Sequence, residues 1–307
     1  MTAAPADNEE WSVGAATANV SPIMSRELES SQYYVRSLSV NLVDVSNVDS
    51  LQQVLRGLAS VGVHEYVLPW SLLEEAGIAL VHDLLEETSS RLRSIIVPSF
   101  FNLADRAQSD HDDARLRAAI DAAVVLDCST IYGTTGPRGD LTFGQASALF
   151  GELVRQHAEY ARQRNIRVLI ESTNALRVDI NFVFTLRDLA DVAKEARIGM
   201  CVDLAACWTE RDVNETLAGM APSVDIVQIA DFVPGTRTTG DRAVPGDGVI
   251  PLKALLSSLL EGGFQGVFDL ELLGPRLVDE GLVKALARGW HVANRVIDES
   301  RQEAMTA

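Results

Sequence analysis

The sequence lacks long hydrophobic runs, a cysteine framework and a basic leader. No apolar stretch reaches the roughly 20 residues that a membrane-spanning helix needs. The first residues are polar and acidic, without the basic-then-apolar order of a signal peptide. Only three cysteines occur among 307 residues, too few and too scattered for a disulfide framework. We therefore expect a cytoplasmic protein that does not enter a membrane.

Basic residues are also scarce. The chain has 26 Lys and Arg residues against 43 Asp and Glu residues, a net charge of −17 at pH 7, and no basic cluster. A nucleic-acid-binding surface needs cationic side chains that replace the counterions around phosphates. Nucleic acid is therefore a poor candidate partner for this protein.

The sequence does contain a regular alternation of apolar strands and amphipathic helices. Strand-like runs occur at 36–43, 65–69, 93–98, 128–132, 167–171, 198–203, 225–230 and 266–272. Helical periodicity occurs at 47–61, 71–90, 112–125, 143–164, 183–195, 209–220, 251–262 and 279–296. Eight such units predict a closed (β/α)₈ TIM barrel, an α/β fold. We assign a weakly structured N-terminal arm to 1–34, the barrel to 35–298 and a C-terminal tail to 299–307.

Four oxygen-bearing side chains stand at or near the ends of the last four predicted strands. They are Glu171, Asp203, Gln228 and Glu271. The carboxyl ends of consecutive barrel strands lie side by side and carry the active sites of TIM barrels, so these side chains can converge on one point. An unpaired buried charge is costly, and a divalent cation is the simplest shared partner. Because all four are hard oxygen ligands, we expect Mn²⁺ or Mg²⁺; helix capping or pairing with Arg is the alternative.

Other side chains surround this predicted centre. Asp269 shares a strand face with Glu271 but lies one step deeper, so we expect a buried donor, with Arg167 as one candidate, to hold it. The strand count places a polar and aromatic set at the same rim: Trp70, Asn102, Thr134, Thr135, Asn174 and Trp208. The substrate-contact candidates among them are Trp70, Asn102, Asn174 and Trp208. The two Trp rings could pack on a sugar ring, although they suit the core equally well.

In these residues the chain resembles the xylose isomerase-like TIM barrel family, which contains sugar phosphate isomerases and epimerases, inosose dehydratases and metal-dependent apurinic endonucleases. The resemblance covers residues 35–296 and is most specific at 170–171 (IE), 202–203 (VD), 227–231 (VQIAD), 242–248 (RAVPGDG) and 268–271 (FDLE). It implies a divalent metal bound by Glu171, Asp203, Gln228 and Glu271.

Gln228 departs from the family pattern, because the family more often has His at this position. Gln can coordinate through its amide oxygen, but it cannot bind as an imidazole or titrate near neutral pH. The site therefore either takes a harder metal through four oxygens or has weakened or lost its metal. We expect the metal to be retained, because three converging carboxylates without a cation would repel one another.

Arg242 begins the segment 242–248, whose glycines and proline allow a tight loop over the barrel mouth. In the family, an Arg in this loop contacts substrate oxygens, so the resemblance makes Arg242 a candidate substrate clamp. The alternative is a surface Arg paired with Asp241 or Asp247. The five His residues (64, 82, 111, 157 and 291) lie away from the predicted carboxyl ends of strands, which argues against the multi-metal endonuclease branch.

These observations predict a divalent-metal-dependent isomerase or epimerase of a polyhydroxylated, sugar or polyol-like substrate. Glu171 and Glu271 would act as base and acid, through a metal-stabilised ene-diolate formed next to a carbonyl. A lyase or dehydratase would use the same enolate. Loss of full metal ligation would instead leave a non-catalytic sugar-binding barrel. The sequence also leaves the oligomeric state open; a homo-oligomer is one candidate, because outer barrel helices often provide dimer surfaces.

Overall fold

A computed structural model describes residues 38–306, which form a closed barrel of eight parallel strands. Each strand pairs with the next along the chain, and the first pairs with the last. The strands are β1 (Leu38–Asn41), β2 (Glu65–Pro69), β3 (Arg91–Ile96), β4 (Thr130–Gly133), β5 (Arg167–Glu171), β6 (Gly199–Asp203), β7 (Ile226–Ile229) and β8 (Val267–Leu270). The predicted (β/α)₈ fold is confirmed. The arm predicted at 1–34 lies outside the described residues.

Helices connect the strands and pack on the outside of the barrel. They are α1 (Val48–Ala59), α2 (Trp70–Ala76), α3 (Ile78–Glu87), α4 (Ser109–Val125), α5 (Phe143–Arg162), α6 (Leu186–Ala196), α7 (Leu204–Cys207), α8 (Val213–Met220), α9 (Leu252–Glu261), α10 (Pro275–Glu280) and α11 (Leu282–Ala304). Short 3₁₀ turns occur at Arg106–Gln108 and Ala221–Ser223. None of the helices within 38–306 is long and apolar enough to cross a membrane.

The strands are buried on both faces, which explains why they are apolar almost throughout. Inside the barrel, one residue from each of six strands contributes to a small cluster: Val67, Ile96, Tyr132, Leu169, Cys201 and Ile226. A much larger cluster joins the outward-facing strand residues to the helices. Side chains therefore fill the barrel interior, and the site lies at one end of it.

The segment predicted as one helix at 71–90 forms two helices. Gly77, with φ of +80°, separates α2 from α3 in a conformation that favours glycine. The apolar periodicity continues across this break, so the pattern alone did not indicate it. The helix predicted at 209–220 likewise begins later, at Val213, after the short helix α7 that directly follows Asp203.

The last helix continues beyond residue 298, where the sequence placed the end of the barrel. Helix α11 extends to Ala304, so most of the predicted tail at 299–307 belongs to it. Packing explains the extension, because Ile297 and Ser300 are buried. Glu303 also pairs with Lys253 of α9, with 2.6 Å between Oε1 and Nζ.

Candidate metal centre

Three carboxylates meet at the carboxyl-terminal end of the barrel. Glu171 ends β5, Asp203 ends β6, and Glu271 follows β8 directly. Glu171 and Asp203 stand two residues beyond the inward-facing Leu169 and Cys201, so the strand period of two keeps them inside the barrel. Each of the three carboxylates offers an oxygen, and these oxygens all lie within 4.8 Å of one another. We call Glu171, Asp203 and Glu271 the acidic ring.

Burial and mutual repulsion dominate the electrostatics of the acidic ring. All three side chains are buried. Burial, followed by the negative charges of Glu271 and Asp203, raises the pKa of Glu171 well above its usual value. Burial and the charge of Asp203 raise the pKa of Glu271 to about 8. A cation at this point would relieve the repulsion and favour the ionised carboxylates.

Arg242 reaches the acidic ring from the loop that follows β7. Its Nη2 donates to Oδ2 of Asp203 at 2.5 Å, and its side chain is only 12% exposed. Oδ1 of Asp203 accepts from the backbone NH of Ala205 at 2.8 Å, so each oxygen of this carboxylate has a donor. Nε of Arg242 is buried and has no hydrogen-bond partner within residues 38–306.

The alternative prediction, a surface Arg242 paired with Asp241 or Asp247, is wrong. Asp241 pairs with Arg276 at 3.2 Å, and Asp247 pairs with Arg288 at 2.8 Å. Arg242 points instead toward a carboxylate that is distant in sequence, a contact that local charge spacing could not reveal.

Asp231 fixes the loop that carries Arg242. Its carboxylate accepts from the backbone NH groups of Gly246, Gly248 and Ile250 at 2.9, 3.0 and 2.9 Å. A Cβ at Gly248 would lie 2.3 Å from Oδ1 of Asp231, so a larger residue would displace the loop. The sequence motifs 227–231 and 242–248 contained these two residues but did not indicate the contact between them.

Gln228 contacts the acidic ring through its amide nitrogen. It lies in β7 beside Asp203 of β6 and is fully buried. Its Nε2 donates to Oε1 of Glu271 at 3.0 Å and to the Tyr132 hydroxyl at 3.3 Å. Its Oε1 is buried without a hydrogen-bond partner among the described residues. Three carboxylates and an unpartnered amide oxygen form a donor set that fits a hard divalent cation.

Asp269 lies below the acidic ring and is held as predicted by buried donors. Ser39 Oγ donates to its Oδ1 at 2.7 Å, and Asn41 Nδ2 donates to its Oδ2 at 2.9 Å. Burial raises the pKa of Asp269 to about 7, although these hydrogen bonds act in the opposite direction. Arg167 was the wrong candidate partner, because it pairs with Asp225 at the other end of the barrel.

The predicted rim residues divide between local turns and the core. Asn102 Oδ1 accepts from the backbone NH groups of residues 104 and 105, and Asn174 Oδ1 accepts from that of residue 176. Trp70 is 7% exposed and belongs to the core. Trp208 is half-buried and packs against Phe232, with ring centroids 6.2 Å apart. Substrate contact by these four residues stays a prediction.

Thr134 and Thr135 follow β4 and are buried. Thr134 Oγ1 accepts from the backbone NH of Ser99, and Thr135 Oγ1 donates to Oδ1 of Asn181 at 2.6 Å. Both hydroxyls therefore hold neighbouring loops in place. None of the five His residues lies at the carboxyl end of a strand: His64 precedes β2, and the others lie in α3, α4, α5 and α11.

Sequence reasoning missed two residues beneath the acidic ring, Asn41 and Tyr132. Asn41 ends β1, and Tyr132 lies inside β4; both are fully buried. A polar residue at an inward position of an otherwise apolar strand was the available signal. Their partners lie on other strands, so only the closed barrel reveals the contacts.

The family model for the xylose isomerase-like TIM barrel matches residues 57–290, most of the chain. The chain belongs to this family. No curated protein sequence matches it significantly. In this xylose isomerase-like barrel, the three strand-end carboxylates lie close enough together to hold a metal ion.

Solved structures share this fold at low sequence identity. A xylose isomerase domain protein from Alicyclobacillus acidocaldarius is 23% identical, with a TM-score of 0.71 over 86% of this chain and 100% of that chain. L-ribulose 3-epimerase is 16% identical, with a TM-score of 0.73 over 88% of this chain and 97% of that chain. The IolI protein with a zinc atom is 16% identical, with a TM-score of 0.71 over 86% of this chain and 98% of that chain. At these identities the similarity shows the fold alone.

Proposed function

We propose that this protein is a divalent-metal-dependent isomerase or epimerase of a sugar or polyol-like substrate. The observation that carries the proposal is the acidic ring, three buried carboxylates whose oxygens lie within 4.8 Å of one another. Glu171, Asp203, Glu271 and the amide oxygen of Gln228 would hold the cation, with Mn²⁺ or Mg²⁺ expected from their hard oxygens. The epimerases among the similar structures support the substrate class.

We propose that Glu171 and Glu271 handle protons on two sides of a substrate. They come from β5 and β8, which are separated by β6 and β7. One carboxylate removes a proton from the carbon next to the carbonyl. The C–H bond breaks, its electron pair forms a C=C bond, and negative charge moves to the carbonyl oxygen. A cation, when bound, supplies Lewis-acid stabilisation of that charge.

The destination of the proton decides the product. Return to the same carbon from the opposite face gives an epimer, and return to the former carbonyl carbon gives an isomer. Loss of a β-substituent from the same enolate would give a dehydrated product. In the metal-free chain burial raises the pKa of Glu171 well above its usual value and the pKa of Glu271 to about 8. A bound cation would act in the opposite direction and favour the ionised form that a base requires.

Arg242 is the candidate substrate clamp. Its guanidinium adjoins the acidic ring, and its Nε has no hydrogen-bond partner within the described range. A planar guanidinium suits paired oxygens such as vicinal hydroxyls or a carboxylate. We expect Arg242 to bind substrate oxygens while it remains close to Asp203.

Proton abstraction can be tested without knowing the natural reaction. The protein with Mn²⁺ is incubated in D₂O with a panel of ketoses and aldoses, and deuterium incorporation next to the carbonyl is followed by NMR. We expect exchange with at least one substrate, and its products distinguish epimerisation, isomerisation and dehydration. Glu171→Gln and Glu271→Gln should each reduce the rate by about 10²-fold or more.

The matched control is Glu74→Gln, which removes an exposed carboxylate on α2. It should exchange deuterium at the wild-type rate. Wild-type rates in folded Glu171→Gln and Glu271→Gln variants would overturn the proposed roles of these two residues.

A non-catalytic sugar-binding barrel is the second candidate, and one observation favours it. Arg242 supplies a positive charge to Asp203 from within the chain. Such a charge could partly replace a cation in a barrel that has lost its metal. A protein that binds sugars but neither Mn²⁺ nor Mg²⁺, when each is supplied, would support this candidate.

A further inference from the structure

A buried tyrosine beneath the acidic ring has no role in the proposed chemistry. Tyr132 lies on β4 inside the barrel. Its hydroxyl oxygen is 2.7 Å from Nδ2 of Asn41 and 3.3 Å from Nε2 of Gln228. On the basis of the metal centre proposed above, we propose that Tyr132 is a positioning residue. It turns the Gln228 amide so that the amide oxygen stays free to ligate a cation at the acidic ring.

The direction of these hydrogen bonds follows from a donor that cannot change its role. The backbone NH of Val43 donates to Oδ1 of Asn41 at 3.1 Å. Because a backbone NH only donates, it fixes which end of the Asn41 amide is the oxygen. The NH₂ end of Asn41 therefore donates to the Tyr132 hydroxyl and, at 2.9 Å, to Oδ2 of Asp269.

The single proton of the Tyr132 hydroxyl is also assigned. A buried phenol keeps its proton at neutral pH, because burial disfavours the charged form. Tyr132 is hydrogen-bonded to Asp269. A cation at the acidic ring would favour the ionised Asp269 carboxylate, which can only accept. The hydroxyl thus donates to Asp269 and accepts from Asn41. Its remaining lone pair requires a donor.

Gln228 supplies that donor. Only its NH₂ group can donate, so Nε2 lies toward Tyr132 and also donates to Oε1 of Glu271 at 3.0 Å. With a cation bound, which favours the ionised Glu271 carboxylate, the opposite orientation would place the amide oxygen against two acceptors, the Tyr132 lone pair and that carboxylate. In the observed orientation, Oε1 is buried and unpartnered among residues 38–306, and an amide binds a hard cation through its oxygen.

This arrangement accounts for a glutamine in a position where the family more often has histidine. An amide presents an oxygen at one end and two donors at the other, so it is a ligand only when it faces the correct way. Tyr132 and Asn41 provide the fixed donors and acceptors that select the orientation of Gln228. They support the ligand in the way that neighbouring hydrogen bonds orient other metal ligands.

Mn²⁺ binding to the full-length protein, followed by electron paramagnetic resonance of free Mn²⁺, tests the inference. Tyr132→Phe removes the hydroxyl and allows the Gln228 amide to turn over. We expect the Mn²⁺ dissociation constant to rise by about tenfold or more, as for other lost contacts to a metal ligand. Tyr66→Phe is the matched control, because this fully buried Tyr on β2 donates to the Val63 carbonyl, outside the Tyr132–Gln228 contact. Its dissociation constant should be unchanged.

A Gln228→Met background separates the orientation of the amide from other effects of the hydroxyl. Met has a similar volume and no amide to orient. In this background, Tyr132→Phe should change the Mn²⁺ dissociation constant by no more than about twofold. An equal loss in both backgrounds, or no loss in the wild-type background, would overturn the inference. Circular dichroism establishes that each variant folds.

Asn41→Ala provides a second test if Gln228→Met does not fold. It removes the donor that occupies one lone pair of the Tyr132 hydroxyl, so the hydroxyl loses its fixed orientation, and Mn²⁺ binding should also weaken. An unchanged dissociation constant in this variant would contradict the inference. If wild-type protein binds no Mn²⁺, the proposed metal centre itself fails. If it binds Mn²⁺ but does not respond to Tyr132→Phe, only the role of Tyr132 fails.

Discussion

Arg242 and Asp203 form an ion pair at the acidic ring, with Nη2 of Arg242 2.5 Å from Oδ2 of Asp203. Their side chains are only 12% and 2% exposed. The pair places one positive charge beside three buried carboxylates. The guanidinium therefore balances only part of the negative charge of the ionised acidic ring, and the remaining charge can attract a further cation.

Removal of Arg242 should destabilise the metal-free protein and tighten metal binding. In Arg242→Gln, Asp203 keeps a buried charge without its partner, which costs about 3–5 kcal/mol at buried ion pairs. A divalent cation then meets less positive charge, so the Mn²⁺ dissociation constant should fall. Urea unfolding with chelator present and Mn²⁺ titration measure the two effects. Arg56→Gln is the control, because its half-exposed pair with Glu87 is screened by solvent and should contribute far less to stability. Equal losses in both variants would contradict the prediction.

Mn²⁺ should stabilise the folded protein, and chelation should reverse the effect. A ligand that binds only the folded state at 100 times its dissociation constant adds about 2.7 kcal/mol to the free energy of unfolding. Glu171→Gln should abolish this response. The same variant should stabilise the metal-free protein, because it removes one of three repelling carboxylates. Thermal unfolding with and without Mn²⁺ measures both effects. A metal-free Glu171→Gln variant less stable than the wild type would count against repulsion in the ring.

The stability of the metal-free protein should fall as the pH rises from about 4.5 to about 8. Burial and Asp203 raise the pKa of Glu271 from 4.5 to about 8. In this window the unfolded chain releases the Glu271 proton while the folded chain retains it, so folding becomes less favourable as the pH rises. Mn²⁺ binding should strengthen over the same window, since the ligand must be deprotonated. The slope of stability against pH should be smaller in Glu271→Gln, as measured by unfolding of the metal-free proteins at several pH values. A slope equal to that of the wild type would exclude Glu271 as its origin.

Gln228→His should change metal preference rather than abolish binding. An imidazole nitrogen suits Zn²⁺ better than the hard amide oxygen does. Competition between Zn²⁺ and Mn²⁺ should therefore shift toward Zn²⁺ in the variant. An unchanged preference would mean that residue 228 does not contact the cation.

The barrel and the strand-end carboxylates could be predicted from the sequence because both depend on short, local sequence patterns. Each strand is a short apolar run, and the candidate ligands stand at or near the ends of four of them, as Glu171 does after the run 167–170. Chain order then brings β5 to β8 together without further information. The same local reasoning missed the helix break at Gly77 and the extension of α11 to Ala304, because the first depends on backbone conformation and the second on packing.

Contacts across the barrel could not be predicted in this way. The alternative for Arg242 paired it with acidic neighbours in sequence, whereas its partner is Asp203, 39 residues away. Tyr132 and Gln228 are 96 residues apart, and their hydrogen bond depends on barrel closure. Polar partners at the centre of a barrel are set by three-dimensional register, which hydrophobic periodicity does not encode.

The binding stoichiometry of Mn²⁺ tests the central claim most directly. Wild-type protein, stripped with chelator and titrated with Mn²⁺ under equilibrium dialysis, should bind one ion per chain. Glu171→Gln and Glu271→Gln should each lose this binding, while Glu74→Gln retains it. Binding that persists in both ring variants, or no binding by the wild-type protein, would contradict a metal centre at the acidic ring.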